Sequence, residues 1–332
     1  MKLLQRAPLS GAQIFRLVQD DLEEVERRLK LEALVKHPLI AEINHYLHDS
    51  GGKRLRPALL LLSAKLCGAP REAALQLGVV VELIHVATLV HDDIIDEADL
   101  RRGRPSVNAK WGNEITVLFG DWLYMTAFWV ALQERRFEIL DVLIDITRKM
   151  VEGELLQLER NHRLDTTLED YLKICWHKTA YLFSGCARLG ALIADQPEEI
   201  VERLGAFGRA LGMAFQVTDD LLDYTADEAV LGKPVLKDLE EGNVTLPVIE
   251  LMRRAGPEER NFLRKIVEEQ EFNPENKLRV LEMVRASGAL DYARRTAERF
   301  AEEARQQLRG LADSRYLRAM QELPDLIVAR ER

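Results

Sequence analysis

Asp92-Asp93-Ile94-Ile95-Asp96 and Asp219-Asp220-Leu221-Leu222-Asp223 repeat one DDxxD pattern more than a hundred residues apart. Within each, the first and last aspartates are four residues apart. On a helix their carboxylates share a face, and like charges at that spacing cost roughly 0.2–0.5 kcal/mol per pair. A hard divalent cation offsets that cost: Mg²⁺ is usually held by one or two carboxylates plus substrate phosphates at about 2.0–2.1 Å. Two such helices facing one another would form a jaw for a metal-bound diphosphate. A lone acidic run is more often a solvated helix face. Here each cluster ends an apolar stretch, residues 79–90 and 212–218, and buried acids are almost always paired or ligated.

Cations accompany the acids. Gly52-Lys53-Arg54-Leu55-Arg56-Pro57 places three cations at the start of a helix, and Arg101-Arg102-Gly103-Arg104-Pro105 follows the first cluster. Cations there oppose the helix macrodipole, unless an anion docks at the same helix start and the arginines grip it through their forks. Two diphosphates are therefore expected, one held through metal and one by basic side chains. His85, seven residues before Asp92, lies on roughly the same helix face and reads as a diphosphate donor, whereas His91 reads as a core residue. Gln216 holds the place analogous to His85 on the second helix, and Lys178, Thr179 and Lys233 are further phosphate donors.

The elements that must position these residues are helical. Leu17, Leu22, Val25 and Leu29 recur at helical spacing, as do Leu140, Leu143, Ile144, Thr147 and Met150, and alternating strand patterns are absent. The reading is an all-α chain with long helices near 11–35, 54–67, 71–97, 114–133, 136–163, 167–195, 198–225 and 288–310. Gly205, Gly208 and Gly212 lie along one helical side and allow close backbone approach; no strand precedes them, so they form no dinucleotide loop. Hydrophobic residues make up 47% and charged residues 30% of the 332 residues, and nothing in the composition divides the chain. The net charge of −9 argues against a nucleic-acid partner. The three cysteines, Cys67, Cys175 and Cys186, lack metal-ligand spacing and read as reduced core residues of a cytoplasmic protein. No signal peptide and no uncharged apolar run of about 18 residues is seen, so a soluble protein without stable membrane insertion is expected.

The chain resembles the trans-isoprenyl diphosphate synthases of the polyprenyl synthetase family over nearly its whole length, as one domain spanning 1–332. The resemblance rests on GGKRLRP at 51–57, ELIHVATLVHDDIIDEADLRRGRPSVN at 82–108, FGDWLY at 119–124, GELLQL at 153–158, KTA at 178–180, FQVTDDLLDY at 215–224, LGKP at 231–234 and TLP at 245–247. It implies an all-helical bundle around a deep central cavity, usually dimeric, with both aspartate motifs at the cavity mouth. By this resemblance Asp92 and Asp96 bind two Mg²⁺ and Asp219 a third, with Asp93, Asp220 and Asp223 in supporting contacts and Asp238 helping through water. Arg101, Lys178, Gln216 and Lys233 hold an allylic diphosphate such as farnesyl diphosphate. Gly52, Lys53, Arg56, His85 and Arg102 hold isopentenyl diphosphate. The family's chemistry needs no nucleophilic side chain: metals and cations stabilise the leaving diphosphate, while Lys178, Thr179 and Gln216 present oxygens towards the allylic cation.

In this family a bulky residue four or five positions before the first aspartate ends elongation early. Thr88 and Ala87 are small here, and Ile84 and Val81 below them are aliphatic, which predicts a long-chain product with Phe128 or Trp129 as deeper floors. A short-chain synthase, a terpene cyclase and a non-catalytic partner subunit are the competing readings. The second DDxxD motif and the basic segment argue against a cyclase, and intact aspartates argue against a partner subunit. Leu236, where the family often has glycine, Lys237 and Asn243 depart from the pattern. Arg330 and Arg332 read as a frayed tail.

Overall fold

A computed structural model describes residues 9–32, 37–48, 54–225 and 235–330. Gly52, Lys53, Lys233 and Arg332 lie outside the described residues. The helices run in the order α1 (Gly11–Arg16), α2 (Gln19–Glu32), α3 (Pro38–His48), α4 (Leu55–Cys67), α5 (Arg71–Ile95), α6 (Val107–Trp111), α7 (Asn113–Leu132), α8 (Phe137–Arg160) and α9 (Leu168–Cys175). After a π-helical turn at Trp176–Ala180 come α10 (Tyr181–Leu192), α11 (Glu198–Thr225), α12 (Lys237–Glu240), α13 (Leu246–Arg254), α14 (Pro257–Glu269), α15 (Pro274–Ala286), α16 (Ala289–Gln307) and α17 (Arg315–Val328).

Local chemistry sets many of these boundaries. Ser10 and Gln13 close a capping box on α1, and Thr167 with Asp170 does the same on α9. Asn273 caps α15, with Pro274 fitting its first turn. The helix expected over 11–35 is two helices, because the chain turns at Leu17 and Val18. The one over 167–195 is interrupted by the π turn. Strands were not expected, yet Leu100–Arg101 pairs antiparallel with Arg104–Pro105 as β1 and β2. Arg102 and Gly103 at the turn both take positive φ, 53° and 75°, as the tight primed hairpin turn requires.

The chain forms two compact units. The first comprises residues 1–147, 185–205 and 310–322; its α5 packs chiefly on α7, α4 and α2. Leu59, Leu60, Leu75, Leu77, Val80, Ile84 and Leu123 are fully buried there. The second comprises 148–184, 206–309 and 323–332. One cluster of its core gathers Tyr224, Leu236, Val248, Leu263 and Val280, and another gathers Tyr171, Met213, Val217, Leu246 and Ala297. The close approach foreseen for two glycines is present: a Cβ on Gly208 would lie 2.4 Å from the Phe183 carbonyl oxygen, and one on Gly212 2.6 Å from the Ala180 Cα.

α5 and α7 are long and apolar enough by length and composition to cross a membrane, although neither holds the uncharged run of about 18 apolar residues whose absence was noted in the sequence. Between Ala73 and His91 Glu82 is the one Asp, Glu, Lys or Arg in α5, and two-thirds of its most apolar window is buried inside the protein.

Candidate active site

In the first unit, Asp92, Asp93 and Asp96 occupy the last turn and C-cap of α5. That is the negative end of the helix dipole, where carboxylates are disfavoured and a cation is welcome. Asp92 and Asp96 are half-buried. Asp93 is buried and committed to protein: Arg101 donates from Nε to its Oδ1 at 2.5 Å and Arg101 Nη2 lies 2.5 Å from the same oxygen. Asn108 Nδ2 donates to its backbone carbonyl at 3.1 Å. Asp93 thus orients Arg101.

Around the same helix lies a basic cluster. Arg54 caps α4 in a left-handed conformation, pairs with Glu26 at 2.8 Å and makes a short contact with the buried Glu82. Arg56 Nη1 is 3.0 Å from His85 Nε2. Burial first, then the guanidinium groups of Arg56, Arg102, Arg101 and Arg54, push the His85 imidazole well below its ordinary range. It is therefore neutral at physiological pH and can donate one N–H to an anion. Arg102 is likewise held below the usual guanidinium range by burial and by Arg54 and Arg101. Such a like-charged group is stabilised by a multivalent anion. Arg54, Glu82, Arg101, Arg102 and Tyr46 line a small cavity of about 50 Å³.

The side chains expected to set chain length separate. Val81, Ile84 and Ala87 are fully buried along α5, and Thr88 is half-buried, donating its hydroxyl to the His85 carbonyl at 2.7 Å. Phe128 is half-buried. Trp129 is 59% exposed. It stands on the outer face of α7, so within one protomer it does not serve as the enclosed floor expected of it. His91 is no core residue in the strict sense: it packs over Gly120 and lies 3.6 Å from Asp121.

In the second unit, Asp219, Asp220 and Asp223 lie in the last two turns of α11. Their roles differ. Asp219 has a side chain 53% exposed, and Arg330 reaches to 3.6 Å from its Oδ1. Asp220 is buried; Tyr171 donates to its Oδ2 at 2.5 Å and Gln216 to its Oδ1 at 2.7 Å. Burial outweighs those two bonds, and Asp219 and Asp223 add repulsion, so its carboxyl is pushed up to about 7. Asp223 accepts from the backbone N–H groups of Lys237 and Asp238 at 3.1 and 3.3 Å. Burial and then the charges of Asp223, Asp220 and Asp219 also raise the Asp238 carboxyl well above its usual range.

Thr179 donates to Gln216 Oε1 at 2.6 Å, so Thr179, Gln216, Asp220 and Tyr171 form one chain of hydrogen bonds. Lys178 is held by Glu154 at 2.8 Å. Both Lys178 and Thr179 sit in the π turn, a feature frequent at functional sites because it pushes backbone out of register. A Cβ on Gly153 would lie 2.6 Å from the Lys178 amide nitrogen, so this packing requires glycine. Leu236 takes φ 61° and is fully buried; a left-handed leucine is costly, and its side chain is retained in the core beside Tyr224 and Leu239.

Arg330 corrects the expectation of a frayed tail. It is 19% exposed, stacks over Phe215 at 4.7 Å and faces Asp219. Glu82, Glu154, Tyr171 and Tyr46 were missed by sequence reasoning. Each acts by holding another residue, and its pairing depends on contacts far apart in sequence. The donor chemistry suits Mg²⁺: hard carboxylates, half-buried at Asp92 and Asp96 and open at Asp219. Among the described residues no three acidic, histidine or cysteine side chains form a metal cage by themselves. An ion completed by phosphate and water does not need one.

A family model described as polyprenyl synthetase matches residues 37–284. The chain is 38% identical over 295 residues to an octaprenyl diphosphate synthase of Escherichia coli, covering 89% of this chain and 91% of that protein. An all-trans-nonaprenyl-diphosphate synthase of Rhodobacter capsulatus is 39% identical, with 89% and 90% covered. A crystal structure of a polyprenyl synthase from Caulobacter crescentus, complexed with calcium and isoprenyl diphosphate, superposes with TM-score 0.93 at 34% identity over 98% of this chain and all of that one.

Proposed function

The chain belongs to the polyprenyl synthetase family, and from that premise we infer that it is a long-chain trans-polyprenyl diphosphate synthase. It is a prenyltransferase that adds isopentenyl diphosphate units to an allylic diphosphate such as farnesyl diphosphate. The observation that carries this reading is the division of labour among acids and bases. Asp92 and Asp96 are half-buried and Asp219 is exposed, so none of the three is sealed from metal, while a neutral His85 stands among Arg56, Arg101 and Arg102, where an anion fits.

Asp92, Asp96 and Asp219 would hold Mg²⁺, three ions in all, with Asp93, Asp220 and Asp223 fixing their surroundings. Bound there, Mg²⁺ supplies positive charge to the leaving diphosphate. Arg101 and Lys178, oriented by Asp93 and Glu154, hold the allylic diphosphate with Gln216 and Lys233. Arg56, His85 and Arg102, with Gly52 and Lys53, hold isopentenyl diphosphate. The Thr179 and Gln216 oxygens would steady an allylic cation through their partial negative charge, and closure against water would protect it. The small Ala87 and Thr88 let the growing chain pass, consistent with the octaprenyl and nonaprenyl products in the names of the relatives.

Both units belong to one catalytic domain in this reading. The protein works in the cytoplasm without membrane insertion, as a homodimer. Leu118, Met125 and Trp129 recur on one face of α7 and, with Phe137, are strongly exposed apolar side chains, a patch suited to a second copy. Sedimentation should give twice the chain mass; a monomer would contradict the dimer. Isopentenyl diphosphate incorporation should require Mg²⁺ and fall at least a hundredfold in Asp92→Ala and Asp219→Ala. Unchanged turnover in both would overturn the metal assignment.

A further inference from the structure

Away from the aspartate motifs, the second unit carries an open groove of about 430 Å³, within the size range of small-molecule sites. Its walls are the chain entering α9, together with α13, α14 and α16. The floor is apolar, built from Leu164, Leu168, Ile249 and Met252 over the fully buried Leu246. The rim is basic. Two carboxylates also line it, and both are already neutralised: Asp165 by Arg163 at 3.3 Å, and Glu250 by Arg253 and Arg254 at 2.8 and 2.5 Å.

That leaves Arg260 and Arg264. Arg260 is anchored by donating to the carbonyls of Met252 and Arg253 at 3.0 and 3.3 Å, which caps the end of α13 and fixes the guanidinium plane. Arg264 is exposed one turn further along α14 and has no ion-pair partner among the described residues. Like charges four apart on a helix repel, and no acid of the groove relieves this pair. The Tyr292 hydroxyl, also on the wall, has no hydrogen-bond partner among the described residues. An apolar trough beside two unrelieved guanidinium groups and a phenol is complementary to an amphiphilic phosphate ester.

The groove is also wired to the aspartate motif. α9 reaches it through the Tyr171 hydroxyl on Asp220 at 2.5 Å. The N-cap of α13 reaches it through Thr245 Oγ1, 2.9 Å from the Tyr224 hydroxyl. Both walls are thus hydrogen-bonded to the end of α11 that carries Asp219 and Asp223.

We propose that this groove is a second, non-catalytic site for a prenyl phosphate, whose isoprenoid tail lies on Leu164, Leu168, Ile249 and Met252 and whose phosphate meets Arg260, Arg264 and Tyr292. Occupancy draws α9 and α13 together and slows turnover at the aspartate motif. The choice of a prenyl tail rests on the synthase reading, because prenyl phosphates are then the amphiphiles the enzyme meets.

Equilibrium dialysis of the full chain against farnesyl thiodiphosphate, an analogue that resists ionisation, tests this with Mg²⁺ and with EDTA. Two molecules per chain should bind with Mg²⁺ and one with EDTA. Arg264→Glu, a change at an exposed position, should weaken the EDTA-resistant event at least tenfold, and Asp219→Ala should remove only the metal-dependent one. Farnesyl monophosphate should inhibit the wild type without competing with the allylic starter, and this inhibition should vanish in Arg264→Glu. A single event that is lost in EDTA, or an EDTA-resistant event indifferent to Arg264→Glu, would overturn the proposal. So would inorganic diphosphate displacing the analogue with equal affinity, which would mean a site for free phosphate. Loss of the metal-dependent event alone would overturn the synthase reading and leave the groove standing.

Discussion

Asp220→Asn is the most revealing perturbation of the second motif, because the structure makes its carboxylate expensive when no metal is bound. The side chain is 4% exposed, and its carboxyl is pushed up from 3.8 to about 7, first by burial and then by Asp219 and Asp223. The folded form therefore holds a proton that the unfolded chain releases near pH 4. Stability is fully present below the unfolded value and is lost as pH rises through the folded one. At about 1.4 kcal/mol per pH unit the loss reaches roughly 3–5 kcal/mol by pH 8 and only roughly 1–2 kcal/mol at pH 5. Asparagine carries no such charge and still accepts from Tyr171 or Gln216. In EDTA, the variant should thus gain on the wild type by roughly 2–4 kcal/mol between pH 5 and pH 8. With an unfolding entropy near 2.1 cal/mol/K per residue, that is a relative rise of roughly 3–6 °C in Tm. Thermal unfolding by circular dichroism at the two pH values measures it. Parallel Tm profiles for the two proteins would refute the placement of a strained carboxylate at this site.

Arg330→Ala should lower the Mg²⁺ concentration for half-maximal rate by up to about fivefold, since a partly exposed ion pair worth up to about 1 kcal/mol competes with metal for Asp219; an unchanged or raised requirement would contradict that competition. Arg101→Lys cannot present both Nε and Nη2 to Asp93, and kcat/KM for the allylic diphosphate should fall at least tenfold in initial-rate assays. Ala87→Phe places an aromatic ring where a fully buried alanine now sits, and chromatography of the products should show shorter chains; an unchanged product would remove α5 from the control of length.

The helical architecture was readable because long apolar periodicities leave little choice of element, and the ends of α4, α7 and α11 fell within two residues of expectation. Residue type alone named candidates where it states the chemistry, as with Asp92, Asp96 and Asp219, or the arginines around the β1–β2 turn. Its internal roles were not. That Asp93 serves Arg101, that Asp220 is gripped by Tyr171, and that Glu154 holds Lys178 depend on contacts 8, 49 and 24 residues apart in sequence, which no local pattern encodes. The π turn was hidden for a different reason: 3.6-residue periodicity continues smoothly on both sides of it. Trp129 was misread because an aromatic at helical spacing looks the same whether it faces a cavity or the surface. Arg330 was misread because position near a chain end says nothing of packing.

The central claim is best tested by mass spectrometry of the products formed from Mg²⁺, isopentenyl diphosphate and farnesyl diphosphate, with Asp92→Ala as control. The structure and sequence together predict a metal-dependent ladder ending at one long all-trans chain, absent in the control. Termination after a single addition would contradict the long-chain assignment, and no elongation from any allylic starter would contradict the synthase itself.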